Sequence, residues 1–278
     1  MSALLRLPSA LWLLLLVAAP LVLVGAIALS WQAEGVPPYA PPWAGQGINT
    51  DNLRLILEDP HYRSALGQSL LAAGATAALC LLLAIPMGFG IARAGRWRNA
   101  LLAAVLLPFW TGFLIRIGAW IGLLRDEGWI NGVLRAAGLI EDPIPLLYTY
   151  GAMLVGMVHA YLPFAVLPVF AAATRLDPAL EEAAADLGAT PARAFLTVTL
   201  PQVVPGLAAA FLLVFIPAAG EYVIPELLGP PEATLVGRVL FQEFFQNRDW
   251  PVASALAVAL LVLLIGPILL FQRLGRAA

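Results

Sequence analysis

The 278-residue chain contains no lysine, and all 15 of its basic residues are arginine. That absence removes several chemistries together. A Walker A phosphate loop, a pyridoxal Schiff base and a protein kinase each need a lysine at the reacting centre. Cysteine is almost missing as well: Cys80 stands alone, which excludes an intrachain disulfide. The two histidines, His61 and His159, have no carboxylate cluster beside them, so no metal site is expected. A net charge of −2 offers no basic surface to nucleic acid. Charge of either sign is scarce. Only 12% of residues are charged and 61% are hydrophobic, against roughly a quarter and a half in a soluble domain. With a mean hydropathy of +0.88, the chain has too little charge to cover a water-facing surface. Disorder, a collagen repeat, a coiled coil and a disulfide-stapled fold are excluded on the same figures. A multi-span membrane protein is left.

Uncharged runs mark the crossings. They measure 27 residues between Arg6 and Glu34, 29 between Arg63 and Arg93, and 17 between Arg98 and Arg116. Three more follow: 32 between Asp142 and Arg175, 27 between Arg193 and Glu221, and 23 between Asp249 and Arg273. A helix crossing about 30 Å of hydrocarbon needs roughly 20 apolar residues. Each run therefore holds one span, and we place them near 10–30, 67–91, 100–121, 149–172, 205–225 and 252–271. The first apolar stretch is too long for a signal h-region and contains Pro20, so it reads as a retained anchor. No internal repeat or separate soluble segment is visible. The expectation is an all-α, single membrane-embedded domain over 1–278.

Arginine placement orients it. Eight arginines, including Arg6, Arg273 and Arg276, fall on the side of the termini and six on the other, and the short Arg93–Arg98 loop carries the most weight. By the positive-inside bias both termini are expected in the cytoplasm. Twelve carboxylates fall on the outer side and four on the inner. A negative outer face concentrates cations, although acidic loops also serve plain solubility. Trp31, Trp43 and the prolines at 37, 38, 41 and 42 suit a stiff interfacial connection.

The inner loop over 175–201 has an unusual order. Asp177 is placed to cap a helix, Pro178 falls at its first position, and Glu181 and Glu182 follow near its positive end. Gly188 supplies a left-handed stop. Thr190-Pro191 then repeats the start for a second short helix running toward Leu200-Pro201. An ordinary amphipathic connector would need no fixed spacing. Here Glu182-Ala183-Ala184, three residues, Gly188, nine residues, Val198, one residue and Leu200-Pro201 resembles the EAA signature of permease subunits in bacterial ATP-binding-cassette (ABC) importers.

The likeness extends over roughly residues 65–272. Ile115-Arg116 with Ala119-Trp120, the segment 128–131, Pro145-Leu146-Leu147-Tyr148 and Tyr161-Leu162-Pro163-Phe164 take part in it. So do Gly220-Glu221-Tyr222-Val223-Ile224-Pro225 and Arg248-Asp249-Trp250-Pro251. Together they resemble the polyamine (spermidine/putrescine) branch of those permeases. The resemblance implies a type I importer permease fold with six spans and a cytoplasmic coupling helix between the fourth and fifth. It implies docking on a separate ATPase through Glu182, Ala183, Ala184, Gly188, Leu200 and Pro201. ATP and Mg would sit on that ATPase, with no cofactor bound by this chain. A second homologous permease, an external solute-binding protein and the lipid bilayer would complete the partners, and no nucleic acid is expected. The resemblance also fits the same machinery importing an opine, an aminophosphonate or iron(III), so those cargoes stay open.

Within the spans, Glu221 is the one acidic residue. It lies 16 residues beyond Pro205, about 24 Å along a helix rising 1.5 Å per residue. Pro217, Gly220 and Pro225 around it loosen a helix and free carbonyls to face a cavity. A buried carboxylate beside Tyr222 suits an ammonium group. Arg116 falls at similar depth, and a structural Arg116–Glu221 ion pair is the competing reading. His159 and Trp120 are further candidates for the pathway, against packing and interfacial anchoring. Asp249 either faces the entrance or caps the sixth span. An ion-coupled secondary transporter would show paired halves and several intramembrane charges; a scaffold would leave the loop spacing without a cause.

Overall fold

A computed structural model describes residue 8 and residues 11–277, with side chains as far as residue 270. Arg6, the first residue of the span begun at 10, and the side chains of Arg273 and Arg276 lie outside that description. The elements run in the order α1 (Leu11–Ala28), β1 (Trp31–Gln32), β2 (Tyr39–Ala40), α2 (Asp51–Glu58), α3 (Pro60–Ala92), α4 (Arg98–Leu106) and α5 (Phe113–Leu124). They continue with α6 (Trp129–Ala136), α7 (Tyr150–Ala173), α8 (Pro178–Asp186), α9 (Pro191–Ala219), α10 (Val223–Leu228), α11 (Val236–Phe241) and α12 (Trp250–Ala277). Among the described residues, five helices are long and apolar enough to cross a membrane: α1, α3, α7, α9 and α12. The bent pair Gly95–Trp110 and Phe113–Ala136 makes six if it counts as one span. Contacts cluster into two compact units, Met1–Gly67 with Thr234–Leu264, and Gln68–Ala233 with Ile265–Ala278.

In the first unit, α1 ends where buried amides take up its last carbonyls. Asn52 Nδ2 donates to Ala28 O and Ser30 O, both at 2.9 Å, and Ser30 Oγ donates to Ala26 O at 2.8 Å. A helix end in an apolar setting needs such partners. The β1–β2 hairpin pairs Trp31 with Ala40 and Gln32 with Tyr39. Trp250 stacks on Phe244 at 4.6 Å, and Tyr62 donates to Glu243 at 2.8 Å.

In the second unit, small residues let backbones come close, the usual basis of helix packing in lipid. A Cβ added at Gly206 of α9 would lie 2.5 Å from the Ala172 Cβ of α7, and one at Gly88 of α3 would lie 2.9 Å from the Phe170 backbone nitrogen. Gly156 of α7 meets Leu228 of α10 in the same way, at 2.5 Å.

Two spans differ from their expected form. The stretch placed at 100–121 is an elbow: α4 tightens into a 3₁₀ turn at Leu107–Trp110, Thr111 is extended, and the axis turns by 90° before α5. Pro108 lacks the N–H that would continue the helix, and Thr111 Oγ1 donates back to Pro108 O at 2.7 Å, holding the turn. The span placed at 205–225 is shifted toward the N-terminus. It begins at Pro191 and ends at Ala219, so the expected second short helix is its opening turns. A π turn at Phe195–Thr199 precedes Pro201 and gives room for a ring that would clash with a regular helical turn.

Candidate functional site

The surface segment is built on local rules. Asp177 accepts from Ala179 N at 3.0 Å, and Pro178 opens α8 with Glu181 in the first turn. The helix closes in a Schellman motif. Gly188 N donates to Ala185 O at 2.9 Å and Ala189 N to Ala184 O at 3.0 Å, with Gly188 at φ +83°. Glu182, Ala183 and Gly188 are exposed and Ala184 is half-buried, so α8 presents Glu182 and, at its end, Asp186 among small side chains. Leu187 at the cap is 90% exposed. Thr190 caps the start of α9, accepting from Arg193 N at 3.4 Å. Half-buried Leu200 and exposed Pro201 lie on α9 beyond its π turn.

Sequence reasoning missed what holds α8. Arg93 Nη2, one residue beyond α3, reaches Glu181 Oε1 at 2.7 Å and Oε2 at 2.8 Å. Thr199 Oγ1 on α9 donates to the same Oε1 at 2.6 Å. Glu181 was read only for its place near the helix start; its partners lie 88 and 18 residues away, and no local pattern announces them.

The second candidate region surrounds Glu221. The residue is not inside a helix: α9 stops at Ala219, and Gly220 to Tyr222 form the break before α10. Glu221 Oε1 accepts from Val223 N at 3.0 Å and Ile224 N at 3.3 Å, capping α10, while Oε2 accepts from the hydroxyl of Tyr161 on α7. The structure does not join Arg116 to Glu221. The Arg116 guanidinium instead lies 4.5 Å from the Phe109 ring centroid across the elbow, and its buried Nε and Nη1 find no hydrogen-bond partner among the described residues. A cation over an aromatic face is attracted by the ring quadrupole, so this contact fastens the bend.

Trp120 and His159 do come together, edge to face at 5.7 Å. His159 also helps to line a cavity of about 530 Å³ with Phe109, Pro108, Met87, Leu101 and Pro163. Its walls are almost wholly apolar, the character of a small-molecule pocket rather than of an ion site. Tyr222 is half-buried beside Glu221. Asp249 belongs to the first unit, where its Oδ1 accepts from Val252 N at 3.1 Å and caps α12. Burial chiefly, and then the charge of Glu243, push the Asp249 carboxyl above its ordinary value. No group of three or more His, Cys, Asp or Glu suited to a metal ion occurs among the described residues.

Compared with known proteins, the chain matches the family described as binding-protein-dependent transport system inner membrane component over residues 1–276. It is 36% identical over 266 residues to the spermidine/putrescine transport system permease protein PotB of Haemophilus influenzae, covering 95% of this chain and 91% of that protein. Its identity to PotB of Escherichia coli K12 is 35% over 227 residues, 81% of this chain and 82% of the other. The inner membrane ABC transporter permease protein YdcU of the same strain is 31% identical over 242 residues, 81% of this chain and 75% of that protein. Among solved structures, a bacterial ABC transporter involved in the import of alginate aligns with a TM-score of 0.70 at 20% identity, covering 99% of this chain and 94% of that one. The MetNI methionine ABC transporter, in inward-facing conformations, aligns at 0.56 and 20% identity over 77% and 94%. These two likenesses concern the fold.

Proposed function

The chain belongs to the family of binding-protein-dependent transport system inner membrane components, and from that premise we propose that it is the permease subunit of an ATP-driven importer of polyamines such as putrescine and spermidine. The chain itself is a transport component and not an enzyme. The cargo reading is carried by one observation: identity of 36% to a spermidine/putrescine permease across 95% of the chain. The acidic outer loops agree with it, since a negative entrance raises the local concentration of a polycation. No observation favours an opine, an aminophosphonate or iron(III).

In this reading a separate ATPase binds ATP and Mg, and α8 is the element that docks on it through Glu182, Ala183, Ala184 and Gly188. The exposure of Glu182, Ala183 and Gly188 and the small side chains at 183, 184 and 188 support close approach by a partner backbone. Closure of two ATPase copies on ATP would draw the docked helices together and swing the helices they join. A second permease and an external solute-binding protein complete the assembly, and both termini face the cytoplasm. Glu221, Tyr222, Trp120, His159 and Asp249 are candidates to meet the cargo. Glu221 has its oxygens engaged at the α9–α10 break by three donors, which supports a role in holding that break, with about one acceptor position left for an ammonium group.

Uptake of radiolabelled putrescine and spermidine by cells with and without this chain tests the proposal. Loss of uptake on deletion and its return on complementation are expected; equal uptake in both strains would overturn the polyamine assignment.

A further inference from the structure

We infer that Glu181 is a positioning residue, the clamp through which displacement of α8 reaches two membrane helices at once. The inference rests on the proposed docking of α8 and adds to it the connection inside this chain. Three bonds converge on one carboxylate: two from Arg93 Nη2, at the inner end of α3, and one from Thr199 Oγ1, in the π turn of α9. An ion pair with side chains 61% and 37% exposed is weak alone. Thr199 changes the case, because it is 1% exposed and ties the carboxylate to a buried point of α9.

The packing around the clamp explains why polar bonds carry the connection. α8 has no buried residue of its own. Cavities of about 250 and 330 Å³ flank the pair, one against Phe89, Asp177 and Pro178, the other against Pro191, Ala194 and Phe195. Close-packed side chains transmit strain and empty space does not. Between α8 and α3 the bridge is the Arg93–Glu181 pair. The neighbouring Phe89–Phe195 edge contact, at 5.3 Å, joins α3 to α9 but bypasses α8. Breaking the carboxylate bonds should therefore leave α3 and α9 packed while α8, still in contact with the opening turns of α9, loses its hold on α3. The partner ATPase would then hydrolyse ATP on an importer whose helices lag.

The test is the complete complex of both permeases, the ATPase and the binding protein in liposomes, with labelled putrescine transported per ATP hydrolysed as the readout. Three forms are compared: wild type, Glu181→Gln, and the exchange Arg93→Glu with Glu181→Arg. Glu181→Gln is expected to assemble with the ATPase and hydrolyse ATP while the transport ratio falls about tenfold, a typical size for coupling between sites. The exchange is expected to recover most of the ratio. A wild-type complex that assembles and transports, beside a Glu181→Gln complex with the same ratio, overturns the clamp and leaves α8 docking standing. A loss that the exchange does not repair also overturns it, because a general packing defect would behave that way. Failure of the wild-type chain to hold the ATPase at all would overturn the docking, and the clamp with it.

Discussion

Gly188 gives the sharpest handle on the surface helix. Its φ of +83° closes the Schellman motif, and nothing lies within 4 Å of a Cβ placed there. Inside this chain the cost of a side chain is therefore conformational and not steric. Holding an L-residue in the left-handed region costs about 1–2 kcal/mol, which corresponds to about 5- to 30-fold in the population of the closed helix end. Asparagine tolerates that region better than other residues, alanine carries the ordinary cost, and a β-branched residue pays the most. Co-purification of the ATPase at limiting concentration should thus fall in the order Gly, Asn, Ala, Val. Gly188→Glu adds charge and bulk at an exposed position and should abolish association. The amount of chain recovered in the membrane fraction should stay the same throughout, because the spans are untouched. Wild-type association by Gly188→Val would refute the link between cap geometry and docking. Asparagine failing as completely as valine would refute the conformational part of the argument and point to crowding by the partner.

Other perturbations follow from single contacts. Gly206→Val places methyl groups where Ala172 already stands, at 2.5 Å from the added Cβ; overpacking of about 1–3 kcal/mol should lower the thermal midpoint in detergent, and an unchanged midpoint would contradict it. Asn52→Leu leaves the carbonyls of Ala28 and Ser30 without their shared donor and should cost about 1–3 kcal/mol, read by the same melt. Glu221→Gln keeps an acceptor for the amides of Val223 and Ile224 and turns an NH2 donor toward the Tyr161 hydroxyl oxygen, but removes the charge. Its melt should change little while putrescine uptake falls, and unchanged uptake would remove Glu221 from the pathway. The Asp249 carboxyl is raised in the folded state, so the unfolded chain ionises first as pH rises. The resulting stability is present in acid and is lost as pH climbs from about 4 through the raised value. Asp249→Asn, which can still cap Val252, should flatten that dependence of the melt, and an identical pH profile would contradict the assignment.

What could be read from the chain divides along sequence distance. The ends of α8 were legible because Asp177, Pro178 and Gly188 act on backbone groups within a few residues. The uncharged runs were legible because lipid tolerates few charges at any position. The elbow was not, although Pro108, Thr111 and Gly112 were visible: proline in a membrane helix is often absorbed, as Pro163 and Pro168 are within α7. The Arg116–Glu221 pair was argued from matching depth, yet Glu221 has nearer partners in the amides of its own break and in Tyr161, 60 residues away. Arg116 found a ring seven positions back in the chain. The clamp on Glu181 escaped notice for a related reason. Adjacent carboxylates at 181 and 182 look equivalent in a string of letters, and the fold turns one toward Arg93 and Thr199 and the other toward solvent.

The most direct measurement is accumulation of labelled putrescine against a gradient in sealed proteoliposomes. With the ATPase, the second permease, the binding protein and ATP present, uphill accumulation is expected, and with this chain alone none. Uphill accumulation by the isolated chain, with no hydrolase in the vesicle, would contradict the account at its root.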